Sequence, residues 1–206
     1  MRDFVIVGLT GPTGAGKSTV SQVMRENGWT IIDADALSRE VVAPGSPCVT
    51  QLCSVFGADI RTPGGGIDRK LLAKHAFSSR EKTKLLNSIV HPWVFLRTLE
   101  LVNEYRKQRV AHFVFDAPLL FESNADVMCD YVISVIAPES VRIERIMRRD
   151  FLTEEQARLR LSAQYDDNFY ITRSDRVIDG SQPLEMVLHE ARLAAEELRK
   201  KQGGEG

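Results

Sequence analysis

FVIVGLTGPTGAGKSTVSQVMREN, the stretch from Phe4 to Asn27, decides the fold of this chain. Its first residues, Phe4 to Leu9, form a short apolar run rich in β-branched side chains, which is typical of a fully buried strand. The run leads into a glycine-rich turn of the pattern G-x-x-x-x-G-K-[ST], and a helical pattern follows. Strand, glycine turn and helix in this order predict a loop that binds the phosphates of a nucleotide.

The residue types of this turn suit polyphosphate binding. Glycines let the backbone curl and bring several N–H donors close to phosphate oxygens, and the helix adds the positive end of its dipole. We expect Lys17 to reach the β and γ phosphates and Ser18 to complete the shell of a Mg²⁺ ion. The predicted ATP-binding residues of the turn are Gly11, Pro12, Thr13, Gly14, Ala15, Gly16, Lys17, Ser18 and Thr19.

Length and composition exclude several classes of protein. The 206 residues, of which 43% are hydrophobic and 27% charged, fit one ordinary globular domain with inserts. A net charge of -1 argues against nonspecific nucleic-acid binding, and no apolar run reaches membrane-spanning length. Cys48, Cys53 and Cys129 lack C-x-x-C spacing, which indicates neither a disulfide framework nor a zinc site. We therefore expect a cytoplasmic protein.

Acidic residues stand at the ends of two further predicted strands. Trp29 to Ile32 reads as a strand that ends at Asp33, and His112 to Phe115 as a strand that ends at Asp116. Ligands of an open α/β sheet bind beyond the carboxyl ends of its strands. We expect Asp33 to accept the proton of an attacking hydroxyl or to hold a water of the Mg²⁺ ion. Asp116 is expected to bind Mg²⁺ directly or through water, or else simply to begin a turn.

The segment between these two strands has a helical pattern broken by turns. A helix is predicted to start near Ala36, with Asp35 suited to its N-cap, and Arg39 either reaches a phosphate or stays in solvent. Proline and glycine divide residues 43–69, and His91-Pro92 is expected to interrupt the helices that follow. We predict an all-helical insert over residues 43–109 that binds the phosphoryl acceptor. His91 either contacts that acceptor or makes a structural hydrogen bond.

The remaining sequence adds two strands and a pair of arginine-bearing helices. Tyr131 to Ile136 and Arg176 to Ile178 complete a doubly wound, parallel five-stranded sheet of the P-loop α/β class. The helices of residues 138–171 are expected to close as a lid and bring guanidinium groups to the transferring phosphoryl group, unless they form a solvated face of Arg/Glu pairs. The arginines of this segment include Arg142, Arg145, Arg148, Arg149, Arg158 and Arg160.

The predicted organisation is a core with two inserted segments. The nucleotide-binding core covers residues 1–42, 110–137 and 172–200. The helical insert and the lid interrupt it, and residues 201–206 are expected to form a flexible tail.

The ordered set of motifs resembles that of the dephospho-CoA kinase family from about residue 5 to residue 180. Besides the glycine turn, the similar stretches include Asp33-Ala34-Asp35, Ile89-Val90-His91-Pro92, Asp116-Ala117-Pro118-Leu119-Leu120-Phe121-Glu122, Met147-Arg148-Arg149-Asp150 and Arg160 to Gln164. The resemblance implies transfer of the ATP γ-phosphoryl group, with Mg²⁺, to the ribose 3′-hydroxyl of dephospho-CoA. That reaction is the last step of coenzyme A biosynthesis.

The resemblance also implies roles for individual residues. The implied catalytic residues are Asp33, as the base or the orienter of that hydroxyl, with Lys17, Arg145 and Arg149. Arg149 and Arg160 are expected to join the loop in binding ATP. The implied acceptor-binding residues are Asp33, Arg39, His91, Asp116, Leu119 and Glu122. The chain departs from the usual family pattern at Pro12-Thr13, Arg142 and Gly180.

The expected partners are dephospho-CoA and ATP, without nucleic acid or membrane, in a monomer or a weak homo-oligomer. Two other functions remain open at this point. A kinase of another small acceptor, such as a nucleoside monophosphate or a sugar acid, would share the loop, the acids and the lid, but His91-Pro92 and the PLLFE stretch favour dephospho-CoA. A nucleotide-sensing switch is the other alternative; the chain has no N-K-x-D motif for guanine, and lid arginines favour a kinase.

Overall fold

A five-stranded sheet organises the computed structural model, which describes residues 3–162 and 164–203. Its strands are β1 (Val5–Thr10), β2 (Thr30–Asp33), β3 (His112–Asp116), β4 (Tyr131–Ile136) and β5 (Arg176–Asp179). They lie in the order β2-β3-β1-β4-β5, and β1 pairs in parallel with both β3 and β4. The predicted parallel five-stranded sheet of the α/β class is therefore confirmed.

Nine α-helices alternate with these strands in the part of the chain that the structure describes. They are α1 (Lys17–Glu26), α2 (Ala34–Glu40), α3 (Pro47–Phe56), α4 (Arg69–Ala76), α5 (Arg80–Arg106), α6 (Glu139–Asp150), α7 (Glu154–Ser162), α8 (Asp167–Arg173) and α9 (Leu184–Gly203). Two short 3-10 helices cover Ala58–Ile60 and Ala125–Met128.

The chain divides into two compact units. The first, which extends to Ile32 and resumes at Arg106, has its core on the sheet. Val20, Val23 and Met24 of α1 are buried there, at the helical spacing seen in the sequence. Because helices cover both faces of such a sheet, its strands are nearly continuous apolar runs. This packing fixes the start of α1 directly beyond the end of β1.

The second unit, Asp33–Tyr105, is helical. The predicted helical insert has other bounds, residues 43–109, and its role in binding the acceptor stays a prediction. The second unit has a hydrophobic core of its own, and α5 packs against that core through Leu86, Ile89, Val90 and Trp93. The indole N–H of Trp93 donates to Gln51 Oε1 at 2.9 Å. The helices of this unit are thus held together by both apolar and polar contacts.

The predicted interruption at His91-Pro92 is wrong, because α5 runs without a break through Pro92. A proline inside a helix removes one hydrogen bond and costs about 3 kcal/mol. The apolar side chains of α5 on both sides of Pro92 pack against the core of the second unit. That packing keeps the helix continuous where the local sequence favours a stop.

Residues 138–171, predicted as a lid, form α6, α7 and most of α8 within the first unit. Ile143 and Ile146 of α6 pack against Ala157 and Leu161 of α7. A capping box begins α7, since the N–H groups of Thr153 and Gln156 each donate to the other's side chain. These contacts join α6 and α7 into one helical pair.

The closing helix α9 extends to Gly203 and so includes part of the predicted tail, whose residues 204–206 lie outside the described residues. A search of the described helices finds none with the length and hydropathy needed to cross a membrane.

Candidate active site

The phosphate-binding loop, residues 11–18, joins β1 to α1. Gly16 is the N-cap of α1 and has a φ of 108°, in the left-handed region that favours glycine. Within residues 3–162 and 164–203 no side chain caps this helix, and its first turn holds no acidic residue. The first N–H groups of a helix have no partner inside it, so these donors and the positive end of the dipole are open to an anion.

Lys17 and Asp116, both predicted site residues, form an ion pair. Lys17 is the first residue of α1, and Asp116 is the last residue of β3, which lies next to β1 in the sheet. Leu9 of β1 is in register with Asp116. Both side chains are mostly buried, at 19% and 14% exposure. The sheet therefore brings a carboxylate to the first turn of α1, where Ser18 and Thr19 lie.

Arg145 of α6 binds the backbone of the loop. Its Nη1 donates to the carbonyl oxygens of Gly14 and Ala15, at 3.2 Å each, and its Nη2 donates to the carbonyl oxygen of Gly180 at 2.8 Å. Both terminal nitrogens of this guanidinium thus hold backbone acceptors. Its predicted role at the transferring phosphoryl group stays a prediction.

Gln164 is a loop contact that sequence reasoning missed. Its Oε1 accepts the backbone N–H of Thr13 at 2.9 Å. Gln164 follows α7, and its own backbone N–H donates to Leu161 O at 3.0 Å. It belonged to a stretch with family resemblance, but no local pattern in the sequence indicates which of those side chains reaches the loop.

Arg149 and Arg160 meet at one carboxylate. Arg149 donates from Nε and Nη2 to both oxygens of Asp150 at 2.8 Å, and Arg160 Nη1 donates to Asp150 Oδ2 at 2.6 Å. The hydrogen bonds from Arg149, supported by the charge of Arg160, hold the pKa of Asp150 below its usual range. A guanidinium has five N–H donors, so both arginines retain donors for a phosphate.

Two positions where the chain departs from the family pattern make specific contacts. Arg142 is 6% exposed, and its Nη2 lies 3.2 Å from Asp167 Oδ1 at the start of α8. A Cβ atom at Gly180 would lie 1.9 Å from the carbonyl oxygen of Ala15. Glycine is therefore the residue that fits against the loop at position 180.

Leu119 and Glu122, predicted to contact the acceptor, follow β3 in the first unit. Leu119 is 45% exposed and free to contact a ligand. Glu122 is half-buried, and burial raises the pKa of its carboxyl group. Among the described residues its Oε2, which is buried, has no hydrogen-bond partner.

Asp33 and Arg39 belong to the second unit. Asp33 is the last residue of β2 and is exposed, and its Oδ1 accepts the N–H of Ala36 at 3.0 Å. Asp33 is thus the N-cap of α2, and the prediction of Asp35 for that place is wrong because α2 already begins at Ala34. The second oxygen of Asp33 remains available to a hydroxyl donor. Arg39 lies exposed in the last turn of α2.

His91 lies half-buried within α5, also in the second unit. Burial lowers the pKa of its imidazole. A neutral imidazole has one donor and one acceptor nitrogen, so His91 suits a polar neutral contact better than an ion pair.

Comparison with known proteins identifies the family. A model of the family described as dephospho-CoA kinase matches residues 5–185. The chain belongs to the dephospho-CoA kinase family. The dephospho-CoA kinase of Corynebacterium glutamicum is 38% identical over 195 residues, which cover 94% of this chain and 98% of that protein. The predicted family and enzyme class, a kinase, are confirmed.

Solved structures agree with this assignment. The crystal structure of the protein TT1252 from Thermus thermophilus has a TM-score of 0.78 and 30% identity, covering 96% of this chain and 99% of that one. A dephospho-CoA kinase from Campylobacter jejuni has a TM-score of 0.71 and 27% identity, covering 98% and 99%. The sheet and the loop described above are therefore those of this family.

Proposed function

We propose that this protein transfers the γ-phosphoryl group of ATP to the ribose 3′-hydroxyl of dephospho-CoA. The products are coenzyme A and ADP, and the reaction is the last step of coenzyme A biosynthesis. The observation that carries the proposal is the uncapped N-terminus of α1, with Lys17 and Asp116 paired beside it. Membership of the dephospho-CoA kinase family supports the choice of acceptor.

The loop and Lys17 hold the donor. Backbone N–H groups within residues 14–18 surround the phosphates, and the ammonium of Lys17 reaches the β and γ groups. An ammonium has three donors, so Lys17 can bind a phosphate oxygen while it stays beside Asp116. Arg145 serves this site by holding the loop from its carbonyl side.

Arg149 and Arg160 stabilise the charge that develops on the transferring phosphoryl group. Both lie on the helical pair α6/α7, oriented by Asp150. An arginine in this role raises kcat about 10³- to 10⁵-fold. Movement of the pair over bound ATP would also exclude water, which otherwise competes with the acceptor hydroxyl.

Asp33 orients the acceptor hydroxyl and takes its proton. One of its oxygens is engaged as the N-cap of α2, which holds the carboxylate in place, and the other accepts from the hydroxyl. The remaining proposed acceptor contacts are Arg39, His91, Asp116, Leu119 and Glu122.

Mg²⁺ is the proposed cofactor. The Ser18 hydroxyl and the Asp116 carboxylate, the latter through water, offer oxygen donors, which suit an ion that keeps several waters and otherwise binds substrate phosphates. The described residues contain no group of three or more His, Cys, Asp or Glu that could hold a metal by itself, which agrees with a site completed by ATP. When bound, the ion supplies charge neutralisation to the phosphates.

We further propose a cytoplasmic protein that acts as a monomer or a weak homo-oligomer. Cys48, Cys53 and Cys129 are free thiols, which suits a reducing compartment.

A coupled ADP-release assay tests the proposed function. Dephospho-CoA should give turnover well above AMP, shikimate and pantothenate, and mass spectrometry with NMR should place the new phosphate on the ribose 3′ position. An analogue of dephospho-CoA without the 3′-hydroxyl is the matched control and should give no ADP above background. Preferred turnover with shikimate or AMP would contradict the proposal.

A further inference from the structure

Two side chains from the α6/α7 region bind three consecutive residues of the phosphate-binding loop. Gln164 accepts the N–H of Thr13 at 2.9 Å, and Arg145 donates to the carbonyl oxygens of Gly14 and Ala15 at 3.2 Å each. One contact uses a donor of the loop, and the others use its acceptors. The loop is therefore bonded along its backbone and independently of any nucleotide.

Both side chains belong to one packed body. Arg145 lies in α6, whose apolar face packs against α7, and Gln164 is bonded through its backbone to Leu161 of α7. Arg149 and Arg160 are carried by the same two helices. The position of these two arginines is thus linked to the conformation of the loop.

Peptide planarity extends the effect of Arg145 to the donors of the loop. A carbonyl group and the following N–H point in opposite directions in one rigid plane. By holding the carbonyl oxygen of Ala15, Arg145 directs the N–H of Gly16 away from itself, at the N-cap of α1. Gln164 occupies the N–H of Thr13 and so removes this donor from those available to a phosphate.

We propose that Arg145 and Gln164 are positioning residues that clamp the phosphate-binding loop in its nucleotide-binding conformation and couple it to the lid arginines. This proposal rests on the proposed function. The guanidinium extends the clamp to Gly180, whose carbonyl oxygen accepts from Nη2 at 2.8 Å. The close approach of Gly180 to Ala15 leaves no space for a side chain at that point.

Gln156 provides a matched control for Gln164. Its Oε1 also accepts a backbone N–H at 2.9 Å, but the donor is Thr153, within the capping box of α7. Gln156→Met and Gln164→Met thus make the same chemical change next to the same helix. Only Gln164→Met removes a contact with the loop.

The test measures ADP affinity by calorimetry together with the kinetics of Gln164→Met, Arg145→Lys, their double variant and Gln156→Met. Loss of a single hydrogen bond should weaken ADP binding and kcat/KM for ATP about five- to tenfold in Gln164→Met. The KM for dephospho-CoA should change less than about twofold, since binding of the acceptor does not use this bond. Gln156→Met should keep wild-type ADP affinity.

The double variant separates a clamp from two independent contacts. Changes at independent sites multiply their fold-losses, whereas two residues acting on one loop conformation give a combined loss smaller than that product. Wild-type ADP affinity in Gln164→Met, a fully multiplicative double variant, or an equal loss in Gln156→Met would each overturn the clamp.

Gln164→Asn, which keeps the amide but shortens its reach, replaces Gln164→Met if that variant does not fold. Because ADP affinity needs no acceptor, failure of the clamp is distinguishable from failure of the proposed function, which would show as no turnover of dephospho-CoA by the wild type.

Discussion

The carboxylate of Asp116, the last residue of β3, accepts a hydrogen bond from the ammonium of Lys17, the first residue of α1. The pair joins the residue proposed to reach the ATP phosphates to the carboxylate proposed to bind Mg²⁺ through water. Ser18 follows Lys17 in the first turn of α1. The Ser18 hydroxyl and the Asp116 carboxylate, which are the two groups proposed for the ion, therefore both lie beside that turn.

Asp116→Asn should raise the Mg²⁺ concentration needed for half-maximal turnover about tenfold or more, since an amide replaces an anionic ligand of the hydrated ion. A Mg²⁺ titration of ADP release at saturating ATP measures the effect. Asp126→Asn, in the 3-10 helix after β3, is the control and should follow the wild-type curve. An unchanged midpoint in Asp116→Asn would remove this residue from the metal site.

Asp33→Asn should lower kcat about 10²- to 10⁴-fold, the usual worth of a general base, with the Kd for ATP nearly unchanged. Asparagine is also a good N-cap, so α2 should persist and circular dichroism should match the wild type. Asp68→Asn is a matched control, because Asp68 is likewise the N-cap of a helix in the second unit. Near-normal turnover in Asp33→Asn would exclude the base role.

Arg149→Ala should lower kcat about 10³-fold or more while ATP affinity falls much less, because its charge acts on the transferring phosphoryl group. Steady-state kinetics and calorimetry with ATP separate the two effects. Arg158→Ala is the control: Arg158 pairs with Glu139 and Glu154 on the same helical pair and should stay within about twofold of wild type. Equal losses of ATP affinity and turnover in Arg149→Ala would contradict the assignment.

Glu122→Gln should stabilise the folded protein at neutral pH. Burial raises the pKa of Glu122 in the folded state, so the folded protein holds this proton at pH values where the unfolded chain has lost it. The wild type therefore loses stability as pH rises from the unfolded pKa of about 4.3 to the raised folded value, and the loss persists above it.

Urea denaturation of both proteins between about pH 4 and pH 8 measures this difference. The advantage of Glu122→Gln should be present at the upper end of the range and shrink toward the lower end. Glu144→Gln, at an exposed position of α6, should show no such trend. A variant less stable than wild type at neutral pH would show that Glu122 is held by a favourable charged contact.

Local sequence patterns were enough to predict the sheet. The central strands β1, β3 and β4 are mostly buried, so each appears as an apolar run. The acids at 33 and 116 stand at strand ends because the apolar run stops there. The α2 cap was less predictable, since Asp33 and Asp35 are both good caps and the choice depends on how soon the helix starts after β2. The continuity of α5 depends on tertiary packing that outweighs the cost of Pro92.

The contacts of the loop were the part that sequence reasoning could not predict. Gln164 and Thr13 are 151 residues apart, and the bond between them exists only because the fold returns α7 to the loop. The contact of Arg145 with the loop was equally unpredictable from the sequence, because the neighbouring arginines at 142, 148 and 149 have the same chemistry. Only the structure shows that this one points to the backbone of the loop.

Internal counterions also affect which molecules the empty enzyme attracts. Lys17 is matched by Asp116, and Arg149 and Arg160 share Asp150. RNA or polyphosphate in a crowded cell therefore meets three site cations, Lys17, Arg149 and Arg160, that each have a carboxylate partner. We expect weak retention of the protein on heparin. The proposed selection of a nucleotide rests instead on the backbone N–H groups at the uncapped start of α1, whose fixed arrangement long flexible polyanions do not match.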